Sequence, residues 1–512
     1  MMKRAIATCT ALVFATASCG ETVNVAASSL REKNVDRLDL VLTDRTELTM
    51  YDAHLGSDDV VRGVVVGCHG DGCTQARNDG VSLARVEKMT KYVPNPASTA
   101  VAIVGVTLVV GGTIALGFAL ASAKFSSGSS GMGVGGSCPR MYSWNGTDWQ
   151  LDSGTFGGSM FSASQLTDHD LLEHLTPDGA TLRMRLQNEL PETEHTDAIA
   201  LRVVDHPAGT HVVPTSSGKL LGFRDPAAPL VATDLRGRDA RDLVATRDAK
   251  EWTSDPFDRD PQRREDARDG LLLTFAKPIH AKRAKLWVTA RNTPWAGDML
   301  QYLLSLVGPA LPGWFASMDR DATSRTAFTT FLDREGSLFV HARTSEKWDQ
   351  RGVVGLVGPE ILKDVALEIP VEDLAGDRLE VRLDAPVAFW SIDSVSVSFD
   401  DDEPVTVKEL HPRSAIADDG KDVTAELLAI DHRYYSTVTG NRAELTFDAP
   451  PPPAAGQARS YVLVSTGYYV PDAPPDSHAD VAELARLTSD PDVASQQALA
   501  FLNVGLARRL LR

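Results

Sequence analysis

The sequence predicts a mainly β protein that combines a small antiparallel β-domain, one apolar transmembrane-type helix and a large β-sandwich-like domain. Two observations favour this class: short runs in which apolar and polar residues alternate, and a single long uncharged apolar segment between them. Helical periodicity is confined to one internal stretch and to the C-terminal end. A length of 512 residues is enough for about two to four domains.

The N-terminus has the pattern of an export signal. Lys3 and Arg4 precede a short apolar stretch, and small residues stand immediately before Cys19. The arrangement resembles a bacterial lipoprotein signal, in which the cysteine becomes the lipidated first residue; an ordinary secretory signal with a chance cysteine is the alternative. We therefore expect a signal peptide over 1–18, lipidation at Cys19 and a tether over 19–34.

The uncharged run over 96–123 is long enough to span a bilayer as a helix. A buried core helix is the alternative. Orientation stays open, because basic residues before the run favour a cytoplasmic N-terminal side whereas export of Cys19 favours the opposite. A smooth face of small residues predicts self-association, and it is formed by Thr107, Gly111, Ala115 and Ala119. A flexible Gly/Ser linker follows over 124–137.

Charge and cysteine content restrict the function classes. The formal net charge of −18 argues against a nucleic-acid partner, because phosphate binding requires concentrated Lys and Arg. Of the five cysteines, Cys68 and Cys73 flank a glycine-rich loop and are a candidate disulfide in an oxidising compartment. A metal site at this loop is the weaker alternative. Cys138 is left without a predicted partner.

Alternation places the small β-domain over 35–93 and the large β-rich domain over 138–475. The strand signals of the large domain lie at 181–186, 198–204, 270–275, 284–290, 337–342, 379–383, 387–399, 442–447 and 460–466. A pair of helices is predicted as an insertion over 296–335. A C-terminal helical segment over 476–512 contains a helix that opens at Asp490-Pro491.

Seven short pieces of the large domain carry a family resemblance. They are Cys138-Pro139 with 142–146, 172–175, 204–207, 291–295, 357–359, 389–393 and 467–469. Together they resemble a family of bacterial exported, lipoprotein-like β-rich proteins of unknown activity, some linked to repeat-containing proteins. The resemblance implies one coherent β-rich unit, and it implies no catalytic residue.

The most enzyme-like stretch runs from Asp168 to His174. If it is helical, Asp170 and His174 share a face and are candidate metal ligands. A third ligand would come from a neighbouring strand, with His195, Asp205 and His206 as the candidates. The alternative is a polar turn whose leucines pack inward.

Three aromatic residues offer a different function. Tyr142, Trp144 and Trp149 surround Asn145-Gly146 as in a β-hairpin, and exposed rings on such a hairpin can stack on sugars. Core packing is the usual alternative. The sequence carries no nucleophile elbow, and its glycine-rich stretch lies in the linker, not between a strand and a helix.

The function favoured by the sequence is a non-catalytic envelope lipoprotein, structural or partner-binding, that needs no cofactor. One alternative is a metal-dependent hydrolase centred on Asp170 and His174, and the other is a carbohydrate-binding module that uses the aromatic hairpin. The expected place is the bacterial cell envelope, anchored to a membrane on its periplasmic or outer side, with an envelope protein or glycan as partner.

Overall fold

The computed structural model describes residues 20–32, 35–44, 47–66, 68–69, 72–73, 77–94, 138–257, 259–473 and 477–510. Within them the chain is mainly β, and its sheets are antiparallel, which confirms the predicted class. The signal peptide, Cys19, the apolar run with its small-residue face and the Gly/Ser linker lie outside these residues. None of the helices in the described part of the chain is long and apolar enough to cross a membrane.

The N-terminal domain is one six-stranded sheet in the order β1-β8-β2-β3-β4-β7. Its strands are β1 Gly20–Asn24, β2 Val35–Leu42, β3 Glu47–Leu55, β4 Val60–Val66, β7 Arg77–Ser82 and β8 Val86–Pro94, and helix α1 is Ala27–Glu32. The alternating leucines Leu38, Leu40 and Leu42 are buried in its core. Residues 19–34 were expected to be a tether, but β1 pairs with β8 and Leu30 is buried, so this segment belongs to the sheet.

Cys68 and Cys73 lie opposite each other in two short strands, β5 Cys68–His69 and β6 Gly72–Cys73. Opposed residues of antiparallel strands have Cα atoms about 4.5–5.5 Å apart. A disulfide requires about 4.4–6.8 Å. The register therefore fits the predicted disulfide, which remains a prediction.

The strands of the large β-rich region form two sandwiches. The outer sandwich pairs a sheet in the order β10-β9-β12-β28-β26 with a sheet in the order β11-β29-β13-β25, and β27 joins β13. Its strands are β9 Arg140–Trp144, β10 Trp149–Gly154, β11 Leu166–Leu172, β12 Thr181–Gln187, β13 Glu192–Pro207, β25 Thr406–Leu410, β26 Ser414–Ala417, β27 Tyr435–Thr437, β28 Arg442–Asp448 and β29 Gln457–Pro471. A hairpin of β14 Thr210–Pro214 and β15 Leu220–Arg224 leads out of it.

The inner sandwich is inserted in the chain between β15 and β25. It pairs a sheet in the order β16-β18-β23-β20-β21 with one in the order β17-β24-β19-β22. Its strands are β16 Val231–Asp234, β17 Trp252–Thr253, β18 Arg268–Ala276, β19 Arg283–Asn292, β20 Leu338–Arg343, β21 Trp348–Val354, β22 Lys363–Pro370, β23 Arg378–Pro386 and β24 Trp390–Ser398. The single sandwich expected for residues 138–475 is thus replaced by two, each with its own apolar core.

Helices cover one side of the inner sandwich. The insertion between β19 and β20 contains three helices where two were expected, because the second is interrupted at Asp321, whose carboxylate caps the third. They are α3 Pro294–Ser305, α4 Leu311–Arg320 and α5 Ala322–Gly336, and α2 Arg241–Val244 is a single turn elsewhere. The C-terminal segment forms α6 Val481–Ser489 and α7 Val493–Leu510, so its long helix begins at Val493 and not at Pro491. Both C-terminal helices pack against this helical layer through contacts such as that of Tyr302 with Phe501.

Candidate ligand-binding cleft

An apolar cleft lies between the helical layer and the loops at which the two sandwiches contact each other. Helices α3 and α5 form its walls, and the start of α7 closes one side. Its volume is about 80 Å³. A water molecule needs roughly 10–15 Å³ of such space, so the cleft has room for a larger guest. Most lining side chains are apolar: Ala296, Met299, Leu300, Leu303, Phe331, Leu332, Leu356, Pro359, Phe389 and Ala494.

Helix α3 is fixed at its N-terminus by local sequence. The Thr293 side chain accepts a hydrogen bond from the Ala296 N–H, and Pro294 occupies the first turn, where its missing N–H costs nothing. This start turns Met299, Leu300 and Leu303 towards the cleft, at a spacing that places them on one helical face. From Ala296 to Leu303 the helix provides an apolar wall about 10 Å long.

The floor of the cleft depends on a close approach between two backbones. A Cβ atom on Gly157 would lie 2.2 Å from the carbonyl oxygen of Leu356, so a side chain there would clash with main chain. Gly158 adjoins it with a positive φ of 79°, a conformation that glycine adopts without strain. The pair allows the outer-sandwich loop to touch the loop after β21.

Asn292, the last residue of β19, links this loop to the cleft. Its Oδ1 accepts hydrogen bonds from the backbone N–H of Val357 at 2.9 Å and of Gly358 at 3.1 Å. Two N–H donors facing the same atom identify it as the oxygen of the amide. The amide nitrogen, Nδ2, is buried and has no hydrogen-bond partner in the described part of the chain. A donor left in this state costs free energy unless a bound group satisfies it.

Glu335 is the ionisable carboxylate that lines the cleft, and its oxygens are satisfied. Oε1 accepts from the Asp492 backbone N–H at 2.9 Å and from Arg334 Nε at 2.7 Å. Oε2 accepts from Ser495 Oγ at 2.6 Å. This carboxylate therefore joins α5 to the start of α7, and both of its oxygens already accept hydrogen bonds from the protein.

Cys138 also lines the cleft, with a buried, free thiol. Burial first, and nearby carboxylates next, raise the pKa of the Cys138 thiol well above its ordinary value. Those carboxylates belong to Glu192, Asp168 and Asp170. The thiol is thus kept protonated, which makes it a poor nucleophile.

A buried ion cluster, the Lys363 cluster, joins the sandwiches close to Cys138. Lys363 Nζ of β22 donates to Asp168 Oδ1 at 2.6 Å and to Asp170 Oδ1 at 2.5 Å, both on β11. Ser153 Oγ donates to the second oxygen of Asp170 at 2.7 Å. Burial and the neighbouring Asp168 raise the pKa of Asp170 to about 6, while the two carboxylates raise that of Lys363. The cluster is a partnered structural link.

The predicted metal ligands are dispersed. The segment that carries Asp170 is strand β11, so the helical face assumed for Asp170 and His174 does not exist. His174 Nδ1 lies 2.9 Å from Asp152 Oδ1, and His195 stacks on Tyr468 with ring centroids 4.5 Å apart. His195 and His206 are eleven residues apart on β13. At about 3.3 Å per residue, that separates them by roughly 36 Å.

No three His, Cys, Asp or Glu side chains within the described ranges are arranged to hold a metal ion. Burial lowers the pKa of His195, which favours its neutral form. His206 Nε2 lies 2.9 Å from Ser460 Oγ, and Asp205 pairs with Arg459 at 2.6 Å. Each candidate ligand therefore already has a partner on another strand.

The aromatic hairpin forms as the sequence predicts, with Trp144 opposite Trp149 across the β9–β10 turn. The two rings meet edge to face at 5.5 Å. The Arg185 guanidinium lies 4.2 Å from the Trp149 ring centre, and that of Arg183 lies 4.9 Å from Trp144. The Tyr142 hydroxyl donates to Glu189. Both tryptophans are half-buried, so part of the surface that a sugar would need is covered by arginine.

Compared with protein-family models and with curated proteins, the chain has no match in either set. The family resemblance therefore stays a prediction. Five of its seven pieces nevertheless meet at the cleft, and each contributes a lining residue: Cys138, Asn292, Gly358, Phe389 and Tyr469. The other two, at 172–175 and 204–207, lie on β11 and β13 and the adjoining turn.

Two local features of the sequence mark parts of this site. Thr293-Pro294 marks a helix start two residues before the predicted one, and the paired Gly157-Gly158 marks a close backbone contact. Neither signal reveals that residues so far apart in sequence converge on one cleft.

Proposed function

We propose that the protein is a non-catalytic binding lipoprotein of the bacterial cell envelope that holds an apolar ligand in the cleft. The observation that carries the proposal is the apolar wall formed by α3 and α5. Ligand sites are typically concave and mostly apolar, with a few polar groups that fix orientation. The cleft has that composition, with Asn292, Glu335 and Ser495 as polar residues of its lining.

A binding role is favoured over hydrolysis by the chemistry of the lining. The Cys138 thiol is held protonated by burial, and Ser495 Oγ donates to a carboxylate that is already bound by two other donors. A nucleophile needs an adjacent base that a third group orients. The metal-dependent hydrolase remains the alternative, but Asp170 lies on β11 whereas His195 and His206 lie far apart on β13.

Membrane attachment is the second part of the proposal. A lipid on Cys19 and the apolar run over 96–123 would each hold the chain at a membrane, and the small-residue face of that run would support self-association. Cys19→Ala should abolish acylation and leave part of the protein in the membrane fraction. Metabolic labelling with a fatty-acid probe measures the first effect, and equal labelling of the variant would contradict it.

The cleft can be tested in the full chain, expressed with its signal and captured in lipid nanodiscs. A photoreactive diazirine acyl ester is activated, and mass spectrometry locates the labelled peptides. We expect labelling in peptides of α3 and α5. Leu303→Trp should fill the cleft and remove the label, whereas Leu428→Trp, at an exposed position of the outer sandwich, should leave it unchanged. Equal labelling of both variants would refute the proposed site.

A further inference from the structure

We propose that the first turn of α7 is a lid over the cleft and that Glu335 is the latch that holds this lid closed. This inference rests on the proposed function and adds how a ligand enters the cleft. Three features support it: the small volume of the closed cleft, the unequal attachment of its walls, and the buried hydrogen bonds between α5 and α7.

The closed cleft is too small for a ligand with a long hydrocarbon chain. Its volume is about 80 Å³. An apolar cavity that holds benzene measures about 150 Å³. Protein interiors are close-packed, so the surrounding side chains cannot simply make room. Binding of a longer apolar ligand therefore requires one wall of the cleft to move.

Two of the walls are fixed to the inner sandwich. Helix α3 begins one residue after β19 ends, and α5 ends one residue before β20 begins. Their side chains in the cleft include Met299 and Phe331, both buried in the core of that sandwich. Moving either helix would therefore disturb strand pairing and core packing together.

The first turn of α7 is the wall with the smallest side chains. It contributes Ala494 and Ser495 to the lining, and Val493 beside them is half-buried. Hydrophobic free energy scales with the apolar area removed from water, so lifting this turn costs less than moving Met299 or Phe331. This turn is therefore the wall that opens most easily.

A short junction precedes this turn. Residues 490–492 separate α6 from α7, and Asp492 has a positive φ of 66°, which residues other than glycine rarely adopt. Backbone conformations of this kind cluster at ligand clamps and switch regions. The junction thus supplies a hinge for the lid.

Glu335 of α5 holds the lid in place. Its buried carboxylate accepts hydrogen bonds from the Asp492 backbone N–H at 2.9 Å and from Ser495 Oγ at 2.6 Å. Other contacts of this junction lie nearer the surface, such as the pair of Arg264 with Asp492, and exposed ion pairs contribute little. The carboxylate of Glu335 is therefore the latch.

The test is the rate at which the photoreactive probe enters the cleft of the full chain in nanodiscs. Samples are irradiated at increasing times after the probe is added, and labelling of the α3 and α5 peptides is measured. Glu335→Gln keeps the size of the side chain but cannot accept both hydrogen bonds. It should load about tenfold faster, as the loss of one buried hydrogen bond to a charged group would give. Asp333→Asn, at an exposed position of the same helix, should load at the wild-type rate.

Equal loading rates for the wild-type chain and Glu335→Gln would overturn the lid. Ser495→Ala removes a single donor and should load a few-fold faster, and it decides the question if thermal unfolding shows that Glu335→Gln does not fold. Hydrogen–deuterium exchange should rise in the first amides of α7 and stay unchanged in β11. A rise in both would show a general loss of stability and would overturn the latch. Absence of labelling in the wild-type chain would refute the proposed function itself, whereas labelling at unchanged rates refutes only the lid.

Discussion

The cleft and the Lys363 cluster both lie where the outer sandwich meets the inner one, and Cys138 adjoins each of them. In the Lys363 cluster, opposite charges face each other at 2.5–2.6 Å and Ser153 satisfies a further oxygen. In the cleft, apolar side chains line an open space, and the lining contains no Lys, Arg or His among the described residues. Of these two regions, one is filled by paired charges and the other leaves open space between apolar side chains.

The difference separates a structural role from a binding role. A buried polar group that is fully partnered stabilises one arrangement of the chain, and removing one partner is costly. Apolar side chains that line an open space lack packing partners on one side until a guest fills it. The comparison therefore assigns the acidic residues near Cys138 to folding and the apolar cleft to ligand binding.

The largest effect is expected from breaking the Lys363 cluster. Lys363→Met leaves the buried Asp170 and the half-buried Asp168 carboxylates without their cation, and losses of about 3–5 kcal/mol are typical when a buried pair is broken. Hydrogen–deuterium exchange of the β11 and β22 amides measures it locally in the full chain. Lys421→Met removes an exposed pair with Glu426 and is the control that should leave these amides unchanged. Unaltered protection in the Lys363 variant would contradict the structural role.

A smaller effect is expected in how the stability contributed by Asp170 changes with pH. The pKa of Asp170 is raised from 3.8 to about 6 in the folded protein, so its contribution to stability is full below pH 3.8 and is lost as pH rises through about 6. Asp170→Asn should therefore cost more stability near pH 4 than near pH 7. Thermal unfolding of both proteins across that interval measures the difference. A difference that grows with pH would show that Lys363, and not burial, governs this carboxylate.

The smallest effect is expected at the aromatic hairpin. Trp149→Ala removes the ring against which Arg185 and Arg183 lie, and a cation–π contact that is still partly open to solvent contributes about 0.5–1 kcal/mol. A slight decrease in thermal stability should result, with photolabelling of the cleft unaffected. Trp348→Ala, which removes one such contact with Arg343, is the matched variant. A glycan whose binding Trp149→Ala abolishes would instead favour the carbohydrate-binding alternative.

Local pattern was sufficient for much of the fold. Alternation located β12, β18, β19 and β28 because side chains of a half-buried strand repeat every second residue. The division into two sandwiches was not predictable in this way, since β13 pairs with β29 across more than half of the large β-rich region. Such pairing is decided by tertiary packing, and no local period records it.

The candidate site was predictable only in fragments. Asp170 was predicted to be a metal ligand because acidic and histidine residues cluster in sequence, but its partner, Lys363, lies on a distant strand. Asn292 carried no signal of its own, because its importance comes from two backbone N–H groups that orient its amide. The roles of Asp170 and Asn292 both depend on residues that are distant in sequence but adjacent in the fold.

The central claim is that the cleft holds an apolar ligand. It is tested most directly by identifying the lipid that stays bound when the protein is purified from its membrane. The full chain and Leu303→Trp are purified in nanodiscs exchanged to a single synthetic phospholipid, and non-covalent lipid is extracted and identified by mass spectrometry. We expect an apolar lipid other than the nanodisc phospholipid in near-stoichiometric amount with the wild-type chain, and its depletion in the variant. Equal amounts in both proteins, or none in either, would contradict the account.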